Sequence, residues 1–501
     1  MKQISADIVV IGTGMGGGII SRALAESGKK ILIVERGKRL PREPENWDAT
    51  QVFLKNRYKN AGFWSDASGK EFKPGVHYYV GGNTKVYGAS LIRFRAHDFE
   101  EFPMPDGISP AWPIRYSDLE PFYRKAEQYL RVRGNSGEDP YEPPRSSKYQ
   151  FKALEHDRYI ENFATKLKRK GLSPYHASMG VDFADGGSCI RCITCDGYPC
   201  KIGAKNDAET CGVNPALETG NAELITECDI TRLEHDENGK KVVAAIGTFR
   251  GAPIKITANY FILSGGAANS AHLLLKSKSD KYPNGLANSS GLVGRNWMVH
   301  NATFIVGFNP FKKNTTKFQK TLSVNDWYQS SKYGYPLGNI QMLGRLNWQV
   351  FKSAKPYIPK FILNWFANRT IDLYLESEDV PDPNNRVEVS QSGGIKIIWS
   401  PNNLKVHKTL VSETRKLLRS VGYPFIFSQT MGIETNSHQC GTCVFGNDPR
   451  NSVLDEFCRT HDLDNLYVVD SSFFPSSAAV NPALTIAAQA IRVAELGGIG
   501  R

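Results

Sequence analysis

Residues 7–36 read DIVVIGTGMGGGIISRALAESGKKILIVER, and this stretch combines two apolar runs with a glycine-rich turn and an amphipathic segment. Asp7–Ile11 and Lys30–Val34 are typical of parallel strands buried on both faces. Between them, Ile19–Glu26 carries apolar residues at helical spacing. The order strand, loop, helix, strand predicts an α/β fold built on a parallel sheet.

The glycines of the turn, Gly12, Gly14 and Gly17, form the pattern G-x-G-x-x-G. The first glycine permits a tight turn, the second lets a pyrophosphate approach the backbone, and the third lets helix and strand pack closely. The N–H groups and dipole at the helix N-terminus favour an anion there. Glu35 ends the second strand, where its carboxylate can bind ribose hydroxyls; a surface ion pair is the alternative. The unit predicts a dinucleotide site but leaves NAD(P) and FAD open.

Composition narrows the class of protein. The 501 residues suffice for two joined domains, and the net charge of +12 comes from basic residues scattered along the chain. We therefore expect a solvated basic surface and no nucleic-acid partner. Nine cysteines without a secretory signal suggest a reducing cytoplasm. No membrane span is expected: the apolar stretch 358–367 is short, and we interpret it as a buried or lid segment, with a membrane-surface patch as the alternative.

The C-terminal part contains three ordered motifs: His438-Gln-Cys-Gly-Thr442, Val468-Val-Asp-Ser-Ser472 and Val480-Asn-Pro-Ala-Leu-Thr485. Their succession resembles the signature of the glucose–methanol–choline (GMC) oxidoreductase family. The resemblance extends to the N-terminal glycine pattern, the Gly81-Gly82 loop and further stretches at 293–296 and 383–387. Since these motifs occur in order along the whole chain, the match is specific, and it implies FAD as the cofactor.

The resemblance also implies a domain plan. A discontinuous, Rossmann-like FAD-binding domain is expected from residues 1–110, 200–300 and 436–501. Residues 111–199 and 301–435 are expected to form an inserted α+β substrate domain and its lid regions, built on a mixed or antiparallel sheet.

Two catalytic residues are implied by the family motifs. His438 matches the histidine that takes the substrate hydroxyl proton as hydride leaves the carbon, and an imidazole titrates in the range that such a base needs. Asn481 matches a second catalytic position, which is His or Asn in the family, and would orient the substrate oxygen. His300, His407 and His461 lie outside these motifs, and we expect them to be ordinary hydrogen-bonded histidines.

The last helix is predicted from Pro482 to about Glu495, because Asn481 is a good N-cap residue and Pro482 suits the first helical position. Its positive end would face the flavin edge on which negative charge develops. The family match implies further cofactor contacts, which with the N-terminal set are Gly12, Gly14, Gly17, Glu35, Gly82, Asn83, Thr84, Ile230, Asp470 and Pro482. The loop 81–90 contains no histidine, so non-covalent FAD is expected.

A cysteine-rich segment has the spacing Cys189-x2-Cys192-x2-Cys195-x4-Cys200. Two interpretations stand. Thiolates at this density could bind zinc or an iron–sulfur cluster, and some sugar dehydrogenases of the family carry a cluster. The spacing fits no standard ferredoxin pattern, however, so we favour a structural turn without a metal.

The expected function is the FAD-dependent oxidation of an alcohol, CH–OH to C=O. The motifs are most similar to those of sugar- and glycoside-oxidising members, the pyranose oxidase-like enzymes and aminoglycoside-sugar dehydrogenases. A sugar, glycoside or polyol is therefore the expected substrate, with oxygen, a quinone or a redox protein as electron acceptor. Three alternatives stay open: a non-sugar alcohol, a lyase with structural FAD, and a basic binding protein that keeps a flavin fold.

Overall fold

The computed structural model describes residues 1–59, 62–183, 187–329, 332–435 and 437–500. Within these residues the strands are β1 (Lys2–Ile11), β2 (Ile31–Val34), β3 (Trp64–Ser65), β4 (Glu71–Phe72), β5 (Phe102–Met104), β6 (Gly107–Ser109), β7 (Tyr175–His176), β8 (Ala222–Ile225), β9 (Cys228–His235), β10 (Val242–Phe249), β11 (Ala252–Leu263), β12 (Asn301–Phe308), β13 (Leu322–Val324), β14 (Asn339–Met342), β15 (Thr370–Ser377), β16 (Arg386–Val389), β17 (Ile395–Ile398), β18 (Phe425–Thr430) and β19 (Leu466–Val468). The helices are α1 (Met15–Glu26), α2 (Tyr116–Tyr129), α3 (Arg158–Lys168), α4 (Asn214–Glu218), α5 (Ala267–Lys276), α6 (Trp348–Ala354), α7 (Lys360–Ala367), α8 (Leu404–Ser420) and α9 (Ala483–Leu496).

The first sheet has seven strands in the order β8-β2-β1-β11-β10-β9, with β19 also paired to β11. Strands β8, β2, β1, β11 and β19 run parallel, and β10 and β9 continue the sheet antiparallel. The apolar residues of 8–11 and 31–34 are buried, as parallel strands between covering layers require. This sheet confirms the Rossmann-like α/β class.

Strand β1 begins five residues earlier than the apolar run predicts. Lys2–Ala6 pair with Ile254–Ala258 of β11, and their burial alternates because one face of this part lies open. An apolar-run criterion detects only the part of a strand that is covered on both faces. Helix α1 likewise begins earlier than its periodicity indicates, at Met15, directly after the glycine turn.

The second sheet has six strands in the order β18-β12-β15-β14-β13-β7, and all its pairs are antiparallel. Its strands come from residues 175–176 and 301–430, and this confirms the expected α+β substrate unit on an antiparallel sheet. One face is covered by α8, where His407 hydrogen-bonds Thr303 and Ser377 and is buried as expected. The opposite face carries the residues of the candidate site.

Helix α9 packs against α1 and α2 beside the first sheet. Tyr123 of α2 and Thr485 of α9 share a hydrogen bond of 2.7 Å between their hydroxyl oxygens. Helix α2 thus packs on α9, which belongs to the predicted FAD-binding unit. Its own residues lie in the stretch 111–199, which is expected to belong to the substrate unit. The exact division into domains stays a prediction.

Candidate active site

One antiparallel bridge brings two distant histidines together. Met298 and Cys440 exchange both backbone hydrogen bonds, at 3.0 and 2.9 Å. In an antiparallel pair, the residues two positions further out also lie opposite each other and on the same face. These residues are His300 and His438, and their Nδ1 atoms are 3.0 Å apart.

The carboxylate of Glu376 connects the two predicted catalytic residues. Its Oε1 lies 2.7 Å from Nδ1 of His438 and 3.0 Å from Nδ1 of His300. Its Oε2 accepts a hydrogen bond of 2.9 Å from Nε2 of Gln341. The same Gln341 nitrogen donates to Oδ1 of Asn481 at 3.0 Å. A single network therefore links His438 to Asn481.

The hydrogen-bond partners determine where the protons of this network lie. Nε2 of His300 faces the carbonyl oxygen of Ser477 at 3.1 Å, so it must carry a proton. Its Nδ1 faces a carboxylate, so it is protonated as well, and His300 is an imidazolium paired with Glu376. His438 then donates through Nδ1 to Glu376, so the neutral form of this imidazole accepts through Nε2.

The electrostatics agree with this assignment. Burial opposes a charge on Glu376, but the two adjacent imidazoles outweigh burial and hold the pKa of this carboxyl well below its ordinary value. Burial likewise opposes a charge on His300, yet the attraction of Glu376 raises the pKa of this imidazole. The pair is fully buried, with side-chain exposures of 1% and 0%.

Two neighbouring carboxyls have pKa shifts in the opposite direction, because for them burial outweighs the attraction of His300. Burial raises the pKa of Glu378 to about 8 and that of Asp379 to about 7. Glu378 contacts the Ser109 hydroxyl at 2.6 Å, and Asp379 accepts from the backbone N–H of Val299 at 3.1 Å. Of the three carboxyls in residues 376–379, Glu376 therefore has the lowest pKa, and it is the one that contacts His438.

Sequence reasoning missed Glu376 and Gln341, and it placed His300 outside the catalytic motif. His300 is buried and hydrogen-bonded as expected, and it also contacts His438. One signal was available. Carboxylates in an otherwise apolar strand are rarely buried without a partner, and TIDLYLESED contains four acidic residues.

The glycine turn has the geometry that the sequence predicts. Gly12 has a φ of +101°, and a Cβ atom there would lie 2.3 Å from the carbonyl oxygen of Ser264. A Cβ on Gly17 would lie 2.0 Å from the carbonyl oxygen of Gly12. At Gly14, by contrast, a Cβ would meet no described atom within 4 Å. The open space lies where the motif requires room for a pyrophosphate.

Glu35 is buried beside this turn. Its carboxylate accepts from the hydroxyl and N–H of Thr13 and from the N–H of Gly37. Burial raises the pKa of Glu35 above its ordinary value. A surface ion pair, the alternative for this residue, therefore does not hold Glu35. The three protein donors leave part of the four acceptor sites of its carboxylate for ribose hydroxyls. Binding of the ribose stays a prediction.

The second glycine loop lies directly over the first. Gly81 has a φ of +97° and donates its N–H to the Thr13 hydroxyl at 3.1 Å. A Cβ on Gly82 would lie 3.2 Å from Cα of Gly14. Asn83 accepts from the N–H of His77, and Thr84 donates to the carbonyl of Gly81. The loop is thus built against the turn that it is predicted to cover.

Asp470 and Ile230 occupy structural positions at the same sheet. Asp470 accepts four hydrogen bonds, from Gly266 and Ser270 on one oxygen and from Ser472 twice on the other. It therefore ties the end of β19 to the turn that follows β11. Ile230 lies in β9 opposite Gly247 of β10. Their cofactor contacts stay predictions.

The start of α9 differs from the prediction by one residue. The helix begins at Ala483 with Pro482 at the N-cap position. Asn481 does not cap it, because its side-chain oxygen accepts from Gln341 instead. The assignment of Asn481 as a helix cap was wrong, and the residue is free to present its amide N–H groups elsewhere.

The four clustered cysteines do not converge on a common point. Among the described residues, the one set of three or more His, Cys, Asp and Glu ligand atoms within 4.8 Å of one another is that of His300, Glu376 and His438. Lys205 holds the cysteine segment, since its buried Nζ donates to the carbonyls of Tyr87, Cys195 and Tyr198, each at 2.8 Å. The segment is thereby attached to the glycine loop at 81–90.

Two models of the GMC oxidoreductase family match the chain, one over residues 58–302 and the other over residues 385–490. Together they cover more than half of it. The chain belongs to the GMC oxidoreductase family. Membership makes it an FAD-dependent oxidoreductase.

This GMC oxidoreductase has well-matched relatives over its whole length. The 6'''-hydroxyparomomycin C oxidase of Streptomyces lividus is 28% identical, over 97% of this chain and 90% of its own. The paromamine 6'-oxidase of Streptomyces fradiae is 28% identical, over 98% and 90%. The fructose dehydrogenase large subunit of Gluconobacter japonicus is 25% identical, over 99% and 98%. The structure of a pyridoxine 4-oxidase has the same fold, with a TM-score of 0.65, 17% identity and 98% coverage of both chains.

The residues of the GMC enzyme fit FAD. The pyrophosphate position above Gly14 is open, and the first turn of α1 carries no acidic side chain. In the described structure no side chain caps this helix, so its N–H groups are available for an anion.

Within the described ranges no helix is both long and apolar enough to cross a membrane.

Gly14→Ala and Gly17→Ala separate cofactor binding from folding. Gly14→Ala adds a methyl group to open space, so the free energy of unfolding of the FAD-free protein should stay within about 0.5 kcal/mol of the parent's. Its FAD affinity should fall at least tenfold, because the methyl group enters the pyrophosphate position. Gly17→Ala pushes a methyl group into the Gly12 carbonyl and should destabilise the fold itself by about 1–3 kcal/mol.

FAD fluorescence titration and urea unfolding of the FAD-free protein measure the two effects. If Gly14→Ala binds FAD as tightly as the parent does, the pyrophosphate does not lie over this residue.

Proposed function

We propose that the enzyme oxidises an alcohol group to a carbonyl with His438 as the base and Asn481 as the residue that orients the substrate oxygen. The observation that carries this proposal is the Glu376–Gln341 bridge between them. The bridge holds two side chains from separate parts of the chain in fixed orientations. A group acting on one hydroxyl from two sides needs such orientation.

FAD held at the glycine turn 12–17 would supply the hydride acceptor for this oxidation. His438 Nε2 takes the hydroxyl proton, and since Nδ1 donates to Glu376, Nε2 is the nitrogen that can accept it. Gln341 occupies the Asn481 side-chain oxygen, which directs the Asn481 N–H groups to the substrate oxygen as negative charge develops there. The carbon loses a hydride and the oxygen loses a proton, and a carbonyl results.

Asp and Glu partners of a catalytic histidine stabilise the imidazolium that forms when it accepts a proton. Glu376 is placed to do this for His438, at 2.7 Å. His300 pairs with the same carboxylate oxygen and neutralises part of its charge. Glu376, His300 and Gln341 are positioning residues.

A sugar or glycoside is the proposed substrate class. The relatives named above include oxidases of paromamine and of a hydroxyparomomycin and a fructose dehydrogenase, whose names describe sugar-containing substrates. The electron acceptor is proposed to be oxygen, a quinone or a redox protein. We also propose a cytoplasmic location, supported by nine cysteines in the described residues that form no disulfide with one another.

The base is tested by anaerobic mixing with a panel of sugars and glycosides. The parent should lose the flavin absorbance on reduction. His438→Ala should slow this reduction by about 10²–10⁴-fold with FAD content unchanged. His461→Ala removes a histidine that hydrogen-bonds Ser452 outside the network and serves as the matched control.

Equal reduction rates in His438→Ala and the parent would show that another group is the base. If FAD stays bound and no compound of the panel reduces the parent enzyme, the proposed sugar oxidation is wrong, and a lyase with structural FAD becomes the better explanation.

The positioning role of Glu376 is tested with Glu376→Gln. The amide keeps the shape but removes the anion, so the flavin reduction rate should fall by about 10²-fold. Stability should change with pH as well. The raised pKa of His300 contributes stability below its unfolded pKa of about 6.5, and this contribution is lost as pH rises through the folded value.

The parent should therefore lose free energy of unfolding on the alkaline side, and Glu376→Gln should flatten that dependence in urea unfolding measured across pH. Glu388→Gln provides the control, because it removes a half-buried carboxylate of β16 that pairs with Arg386 and Lys396 away from the histidines. A parallel pH dependence in Glu376→Gln and the parent would contradict the buried ion pair.

Non-covalent attachment of FAD is supported by the loop 81–90, which offers no histidine. Acid denaturation should release all the flavin into the supernatant. Flavin that stays with the precipitated protein would contradict this and would indicate His77. Burial lowers the pKa of that imidazole to about 4, and its Nδ1 has no hydrogen-bond partner in the described part of the chain.

A further inference from the structure

An exposed group of aromatic side chains lies on the antiparallel-sheet unit. We call it the aromatic face; its members are Phe311, Tyr357, Phe361, Ile362, Trp365, Phe425 and Phe427. Tyr357 and Phe311 are 95% and 93% exposed, and Phe361 is 74% exposed. Side chains of this size are usually covered in a protein that works in water alone, and contiguous apolar patches indicate an interaction site.

The aromatic face is one continuous surface on an ordered base. Phe308, at the end of β12, contacts Trp365 of α7 and Phe425 of β18, with ring centroids 5.3 and 6.1 Å apart. Phe366 contacts Phe427 at 5.4 Å. The loop with Phe311 is attached through Arg369, whose Nε donates to the carbonyl of Pro310 at 3.0 Å.

Helix α7 shows why the face needs a partner. Leu363 and Ala367 are buried against the domain, while Phe361, Ile362 and Trp365 project outward and are exposed. A helix with apolar side chains both inward and outward has no side suited to water. Its outward side must therefore be covered or inserted into an apolar layer.

The two stretches that carry five of the seven side chains of the face have charges of one sign. Residues 309–317 and 344–369 carry eight Lys and Arg and no Asp or Glu. Lys360 lies over the Trp348 ring at 5.0 Å, and the Arg369 guanidinium lies over the Trp365 ring at the same distance. Cations interleaved with aromatic side chains complement a surface whose phosphates lie above an apolar layer.

We propose that the aromatic face docks the enzyme onto an anionic lipid surface. The aromatic tips enter the acyl boundary, and the surrounding cations contact lipid phosphates. Two observations favour lipid over a protein partner: the rings of Phe311 and Tyr357 project almost wholly into solvent, and the stretches 309–317 and 344–369 carry cations and no acidic residue. This inference is independent of the proposed alcohol oxidation.

The aromatic face lies away from the candidate active site. His300 precedes β12, and Phe308, which packs under the face, ends it, so these two residues lie about 25 Å apart at the usual rise of a strand. Changes in the face should therefore leave the reduction of bound FAD by substrate unaltered. That separation lets a docking defect be distinguished from a catalytic one.

The experiment is co-sedimentation of the FAD-loaded enzyme with vesicles of phosphatidylcholine alone or mixed with phosphatidylglycerol. The parent should bind the mixed vesicles at least tenfold more tightly than phosphatidylcholine alone, and salt should weaken binding. The variant Tyr357→Ser/Phe361→Ser/Trp365→Ser should lose binding by about tenfold or more, with FAD content and substrate-driven flavin reduction unchanged. Lys312→Gln/Lys313→Gln should reduce the preference for the anionic lipid.

The matched control is Phe63→Ser, which removes another half-exposed aromatic side chain, 53% exposed, outside the face. It should bind vesicles as the parent does. Failure of the parent to bind mixed vesicles, or an equal loss in the control, overturns the proposal. So does a parent that forms dimers in sedimentation velocity while the triple variant is monomeric, because the face would then bind a second copy of the chain.

Discussion

The carboxylate of Glu376, held between two imidazoles in a fully buried position, is the constraint on which the candidate site depends. A buried charge is stable only when it is paired and its remaining acceptor sites are filled. His300, His438 and Gln341 satisfy it together, and in doing so each takes one orientation. The need to pair this buried charge therefore fixes the orientations of the proposed base, His438, and of its neighbours His300 and Gln341.

This network also explains why neighbouring acids differ. Glu376, Glu378 and Asp379 are all buried, yet the pKa falls only for the one that faces imidazoles, while burial raises the pKa of the other two. The raised pKa values of Glu378 and Asp379 reduce the negative charge near Glu376, and so reduce the repulsion. A second full negative charge at this distance would compete with the first for His300.

In the predicted FAD-binding unit, backbone geometry rather than charge determines which residues the glycine turn can contain. Gly12 and Gly17 are needed because the chain passes too close to itself for a side chain, whereas Gly14 faces open space. The loop with Gly81 and Gly82 rests on the same turn through Thr13. The antiparallel unit contributes the side chains of Glu376 and Gln341, and the bridge between Met298 and Cys440 places His300 and His438 beside them.

The sequence by itself determined the parallel sheet, the glycine turn and the family, and it nominated His438 and Asn481, because these features depend on local patterns that the chain carries in order. It misplaced the start of α9 by one residue, since the competing partner of Asn481, Gln341, is 140 positions away. Only the tertiary structure decided that Glu376 joins these two residues and that His300 contacts the same carboxylate. A buried ion pair depends on which strands become neighbours, and strand order is a property of the whole sheet that no local pattern contains.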